Sequence, residues 1–175
     1  AAVAPLVDTD RTAARKEKSL QVEVTGSTPA YGRIRNVSLA EGRFFTETDE
    51  RAARNVCVIG HLVARELFPI ATPLGKSIRL GGKPCTVIGV QTEVGKGLFG
   101  ENREDTRVVM PFATFKKLFG LSRWRNVDIM VQVASLGVMD RAEDELIGLA
   151  RTARRVPPGE ANNFEINDQD SVRQN

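Results

Sequence analysis

Apolar positions along the chain fall into short alternating runs separated by helical ones. Ser19 to Thr25 (SLQVEVT) alternates Leu20, Val22 and Val24 with Gln21, Glu23 and Thr25, the period-two pattern of a half-buried strand, and Gly26 ends it. The opening AAVAPLV also reads as a strand, and DTDRTAARKEK between the two is charged enough for an exposed connection or a hairpin. Tyr31 to Val37 is mixed, LAEGRFF places a glycine turn before an aromatic run, and Thr46 to Arg51 is polar enough to be surface. NVCVIG is a continuous apolar run of the kind buried on both faces of a sheet. HLVARELF then sets Val63 with Leu67, and Ala64 with Phe68, at i and i+4, which predicts a two-turn helix stopped by Pro69. In SIRLGGKPCTVIGV two β-rich runs flank Gly81-Gly82, a hairpin signal. TRVVM reads as a strand leading through Pro111 into the short helix FATFKKLF, which Gly120 stops.

The last third changes character. VDIMVQVA alternates Val127, Ile129, Val131 and Val133, a strand. From Val138 to Val156, Met139, Ala142, Leu146, Leu149, Ala150 and Ala153 recur on one helical face, expected to be core. Asp140, Glu143, Asp144 and Glu145 crowd its first half and Arg151, Arg154 and Arg155 its last turn, which complements the helix dipole. Pro157, Pro158 and Gly159 stop it, and NFEIND offers one more short strand. Strand, helix and strand at the end, with hairpins in the middle, predict an α+β fold.

Composition narrows the function more than the fold. A chain of 175 residues, 41% hydrophobic and 27% charged, can build its own core without a disulfide framework. Its net charge of +3 is spread among interspersed acids, which argues against a nucleic-acid surface. No run approaches the roughly 20 apolar residues that span a bilayer, and the start inside a strand, without Met, reads as a piece of something longer. Cys57 and Cys85 each sit within an apolar strand and read as buried free thiols; a disulfide is the alternative if those strands are neighbours in an oxidising compartment.

Chemistry is sparse. Gly95, Gly97 and Gly100 spell G-x-G-x-x-G after a strand, but a pyrophosphate site needs a helix N-terminus next, and ENRED followed by TRVVM supplies none. The stretch reads as a polar loop between strands. His61 stands alone, and no nucleophile elbow, Walker-type lysine loop or Cys–His pair is present, so no catalytic, cofactor or metal residue is assigned. The candidate partner contacts are Leu98 and Phe99 in the glycine loop and Arg123 and Trp124 in LSRWRNV, because aromatics and arginines are favoured where partners dock. Trp124 reads more readily as a cap on the core beneath a loop.

Several segments together resemble the MacB-like periplasmic core domain of ABC transporter permeases: EGRFF at Glu41 to Phe45, VIG at Val58 to Gly60, Leu67-Phe68, PLGK at Pro73 to Lys76, VIGV at Val87 to Val90, and Pro157 to Phe164. Their order and spacing cover most of the chain. The resemblance implies a segment between the first and second membrane helices of a four-helix permease, on the periplasmic or extracellular face of the bacterial inner membrane. It implies a porter-like α/β lobe formed by both chain ends (residues 1–27 and 127–175) with an inserted β-rich, sabre-like lobe (residues 28–126). The implied partners are a second permease copy, a cytoplasmic ATPase domain or subunit and a periplasmic adaptor protein. The implied role is mechanical: ATP-driven motion is relayed to the periplasmic domains for macrolide-type export, with lipoprotein-release and cell-division permeases as the related alternative. Gly42, Gly75 and Gly89 look like turn and close-packing positions within these motifs.

Overall fold

The computed structural model describes residues 2–95, 103–121 and 126–167. Its strands are β1 (Ala2–Arg15), β2 (Lys18–Ser27), β3 (Leu39–Gly42), β4 (Val56–Ile59), β5 (Ser77–Leu80), β6 (Lys83–Gln91), β7 (Arg107–Pro111) and β8 (Asp128–Gln132). The helices are α1 (Ala30–Ile34), α2 (Glu47–Arg51), α3 (His61–Leu67), α4 (Phe112–Phe119) and α5 (Met139–Ala153). This is the α+β mixture the pattern predicts. The expected helices at 61–68 and 112–119 and the hairpin across Gly81-Gly82 form where the periodicity places them.

All eight strands join one sheet, whose pairings follow the order β2-β7-β4-β6-β5-β1 and then return through β1–β2, a ring of six. β8 extends it beside the first residues of β1, and β3 lies on β6. On one face of the sheet, Val7, Val24, Ile59, Ile78, Val87 and Met110 form a buried cluster with Val63 and Leu67 of α3 and Phe115 of α4. Val58 and Val109 join Ala4, Tyr31 and Phe45 in a second cluster. The VCVI run is therefore buried on both faces: Cys57 and Ile59 enter one cluster and Val58 the other, which is why it shows no polar alternation.

Glycines set one close strand contact and one turn. Gly42 has φ +77°, and a Cβ there would lie 2.2 Å from the Ile88 carbonyl oxygen. A Cβ on Gly89 would lie 2.5 Å from the Arg43 carbonyl oxygen, so both members of this β3–β6 contact must be small. Gly75, with φ +74°, is a turn position facing open space. The close-packing and turn roles expected of the three glycines are thus met by their geometry.

Three expectations differ. β1 runs through the charged DTDRTAAR segment, because backbone pairing with β2 from Leu6 to Arg15 holds it extended; only the Lys16-Glu17 tip is the expected hairpin turn. β2 lies parallel to β7 and β1 antiparallel to β5 within one sheet. By compactness the chain divides into Ala2–Gln132, and Val133–Asn175 with Ala1. No residue of α5 is buried, and Leu149 is 68% exposed, so its apolar stripe is not core. NFEIND forms no strand in its described part: Arg154, the C-cap of α5, donates to the Asn163 carbonyl, and Arg151 holds the residues just before it through the carbonyls of Pro157 (2.8 Å) and Glu160 (2.9 Å) and Asn162 Oδ1 (2.6 Å).

Candidate functional site

The base of the glycine loop is where β4, β6, β7 and the start of α3 converge. The backbone N–H groups of Val94 and Gly95 donate to Asp105 Oδ1 (2.9 Å) and Oδ2 (3.1 Å), so one carboxylate holds the start of the 94–105 loop against its end. Asp105 is buried within a 3-10 turn, Arg103–Thr106. Gly60 makes this approach possible: a Cβ there would sit 2.4 Å from the Asp105 carbonyl oxygen. Gly60 N–H also donates to the Arg107 carbonyl at 2.8 Å, which fixes the start of α3. His61, next in sequence, stands 3.9 Å from Glu93.

Beside this base lies an ionic network around Arg107, the first residue of β7. Its guanidinium donates to Glu23 (2.6 Å), Glu104 (2.5 Å) and the Tyr31 hydroxyl (3.2 Å). Burial penalises the Arg107 charge, but Tyr31, Glu104 and Glu23 outweigh it and hold its pKa above the ordinary value. Arg35 reaches Glu104 at 3.4 Å and Arg103 reaches Glu23 at 3.9 Å, so the cluster ties β2, β7, α1 and the 3-10 turn together. Asp8, with Glu23, lines the polar groove alongside. Burial raises its pKa although the Thr25 hydroxyl donates to it at 2.5 Å.

What this arrangement does chemically is hold a loop and brace strands. Among the described residues no group of three or more His, Cys, Asp or Glu is placed to hold a metal. The described continuation of the glycine pattern is a 3-10 turn leading into β7, not an α-helix offering its N-terminus. The four candidate contacts, Leu98, Phe99, Arg123 and Trp124, lie outside the described residues. Sequence reasoning missed Asp105, Arg107 and Tyr31. Nothing in the ENRED run distinguishes the clamping acid from its neighbours, and the partners of Arg107 are 3, 76 and 84 positions away.

Cys57 and Cys85 are both buried and free, on the parallel neighbours β4 and β6. The neighbouring Cys85 thiol and burial push the Cys57 thiol pKa well up, which makes it unreactive.

The fold is shared with solved extracytoplasmic regions of ABC-type transporters. The periplasmic region of MacB from Actinobacillus actinomycetemcomitans superposes with a TM-score of 0.79 over 98% of this chain and 73% of that one, at 21% identity, a likeness of fold. The chain belongs to the MacB-like periplasmic core domain family, which matches residues 1–149. The macrolide export ATP-binding/permease protein MacB of Bdellovibrio bacteriovorus is 36% identical over 141 residues, 80% of this chain and 21% of that protein. The pyoverdine export ATP-binding/permease protein PvdT of Pseudomonas aeruginosa is 36% identical over 129 residues, 71% of this chain and 19% of that protein. The chain thus spans about a fifth of the length of these relatives. Among the described residues no helix is long and apolar enough to cross a membrane.

Proposed function

We propose that this domain is a non-enzymatic coupling and docking element of an export permease. It relays motion driven by ATP hydrolysis elsewhere in the transporter, and it contacts a second permease copy and an adaptor protein. The observation that carries this reading is the pairing of β1 with β8. Ala2–Leu6 runs antiparallel to Asp128–Gln132, so a displacement entering along either strand is passed at once to the other and to the ring. The relatives' names, macrolide export and pyoverdine export, support an export role over lipoprotein release or cell division.

The glycine loop, held at its base by Asp105, and the LSRWRNV segment are the proposed docking elements, through Leu98, Phe99, Arg123 and Trp124. In the complete transporter, alanine substitution of Leu98 with Phe99, or of Arg123 with Trp124, is expected to reduce export while ATP hydrolysis continues. Export at the wild-type rate in both variants overturns the docking assignment. Saturable nucleotide binding by the 175-residue chain, lost in Gly97→Asp, overturns the non-enzymatic one.

A further inference from the structure

The geometry points to a phosphate-binding cleft where β1 and β5 part. These strands pair only at Ala13↔Leu80 and Ala14↔Arg79; beyond that point they diverge and leave a cleft of about 600 Å³ lined by Ala14, Arg15, Lys16, Lys76, Ser77 and Arg79. Four cations face it, two from each side, with a hydroxyl and no carboxylate among the lining residues. Arg15 is already positioned: its guanidinium lies 4.4 Å from the Phe68 ring centroid and donates to the Leu67 carbonyl at 3.3 Å. None of the four makes an ion pair with a carboxylate among the described residues, whereas Arg35, Arg43, Arg54, Arg65, Arg103 and Arg107 each do. Unopposed positive charge is therefore gathered at one concave spot. An arginine fork beside lysine point charges is the chemistry that holds phosphate. The ligand class is a phosphate group, free or on a lipid headgroup.

The test follows backbone amide signals of the 175-residue chain by NMR during titration with inorganic phosphate, against sodium chloride at equal ionic strength. Saturable shifts confined to residues 14–16 and 76–79 are expected with phosphate only. Affinity is expected to fall about tenfold or more in Lys76→Gln/Arg79→Gln, and to persist in Arg141→Glu, an exposed charge change on α5. Both exposed glutamine changes leave the Ile78 and Leu80 packing intact, and an unaltered spectrum elsewhere checks the fold. Co-sedimentation with phosphatidylglycerol vesicles but not phosphatidylcholine vesicles supports the headgroup as source, and phosphate shifts without sedimentation support the free anion. Equal shifts with chloride, no shifts, or an unchanged response in the glutamine variant overturn the cleft. Binding of a polyglutamate peptide without any response to phosphate also overturns it, in favour of an acidic protein segment.

Discussion

Asp49 accepts hydrogen bonds from Arg43 (2.7 Å), from the Thr46 N–H (2.9 Å) and hydroxyl (3.0 Å), and from Arg54 (3.4 Å), with only 2% of its side chain exposed. Its own N–H donates back to the Thr46 hydroxyl, which completes a capping box on α2. The Arg43 hydrogen bond, with help from Thr46, lowers its pKa from the ordinary 3.8 to about 2 against the opposing effect of burial. Because the folded value is the lower one, the charged form favours the fold. That stability is complete above about pH 4 and is lost as pH falls through about 2. Asp49→Asn is expected to lose about 2 kcal/mol relative to wild type near neutral pH, with the gap narrowing in acid; denaturant unfolding at several pH values reads it, and a gap independent of pH contradicts it. The glycines give a second comparison at this scale. Gly75→Ala meets only the left-handed backbone penalty of about 1 kcal/mol, whereas Gly42→Ala meets that penalty and the Ile88 carbonyl, so its expected cost is about 3 kcal/mol or more by melting. Equal costs would show that the β3–β6 contact yields freely. Gly42, Gly75 and Gly89 were legible through the motifs that contain them; Asp105 was not, because its partners are two backbone N–H groups that any sequence would offer.

Elements with an apolar face and a clear stop were readable: α3 before Pro69, α4 before Gly120, and the β5–β6 hairpin at Gly81-Gly82. α1 and α2 were not, since five-residue helices carry too few apolar positions to show a period, although the Thr46-x-x-Asp49 cap was a usable sign. α5 shows the converse. Its pattern gave the helix correctly but not what covers it, since periodicity reports a face and not a partner. Phe115 on α4 is fully buried beside Phe119, with ring centroids 5.2 Å apart, and Leu149 on α5 is 68% exposed. Phe115→Ala is expected to destabilise the chain by about 3–5 kcal/mol, and Leu149→Ala by no more than about 0.5 kcal/mol. Comparable losses in a thermal or denaturant series would contradict the packing described.

At the scale of the whole molecule, the ring depends on pairings between distant segments. β2 finds β7 with Glu23 opposite Arg107, and β1 meets β5 at Ala13 opposite Leu80. Neither pairing has a local signature, so the α+β class was legible and the single sheet was not. The motifs from Glu41 to Val90 fall within the family match over residues 1–149, and their glycines mark turns and close contacts that the fold requires; Pro157 to Phe164 lies beyond that match. We propose that the β1–β8 pair carries force between the rest of a transporter and this domain. The most direct measurement is the ratio of substrate exported to ATP hydrolysed by the complete transporter carrying Met130→Pro, which removes a backbone donor from β8 opposite Ala4. Hydrolysis is expected to continue while export collapses. Export and hydrolysis both at wild-type rates would contradict it.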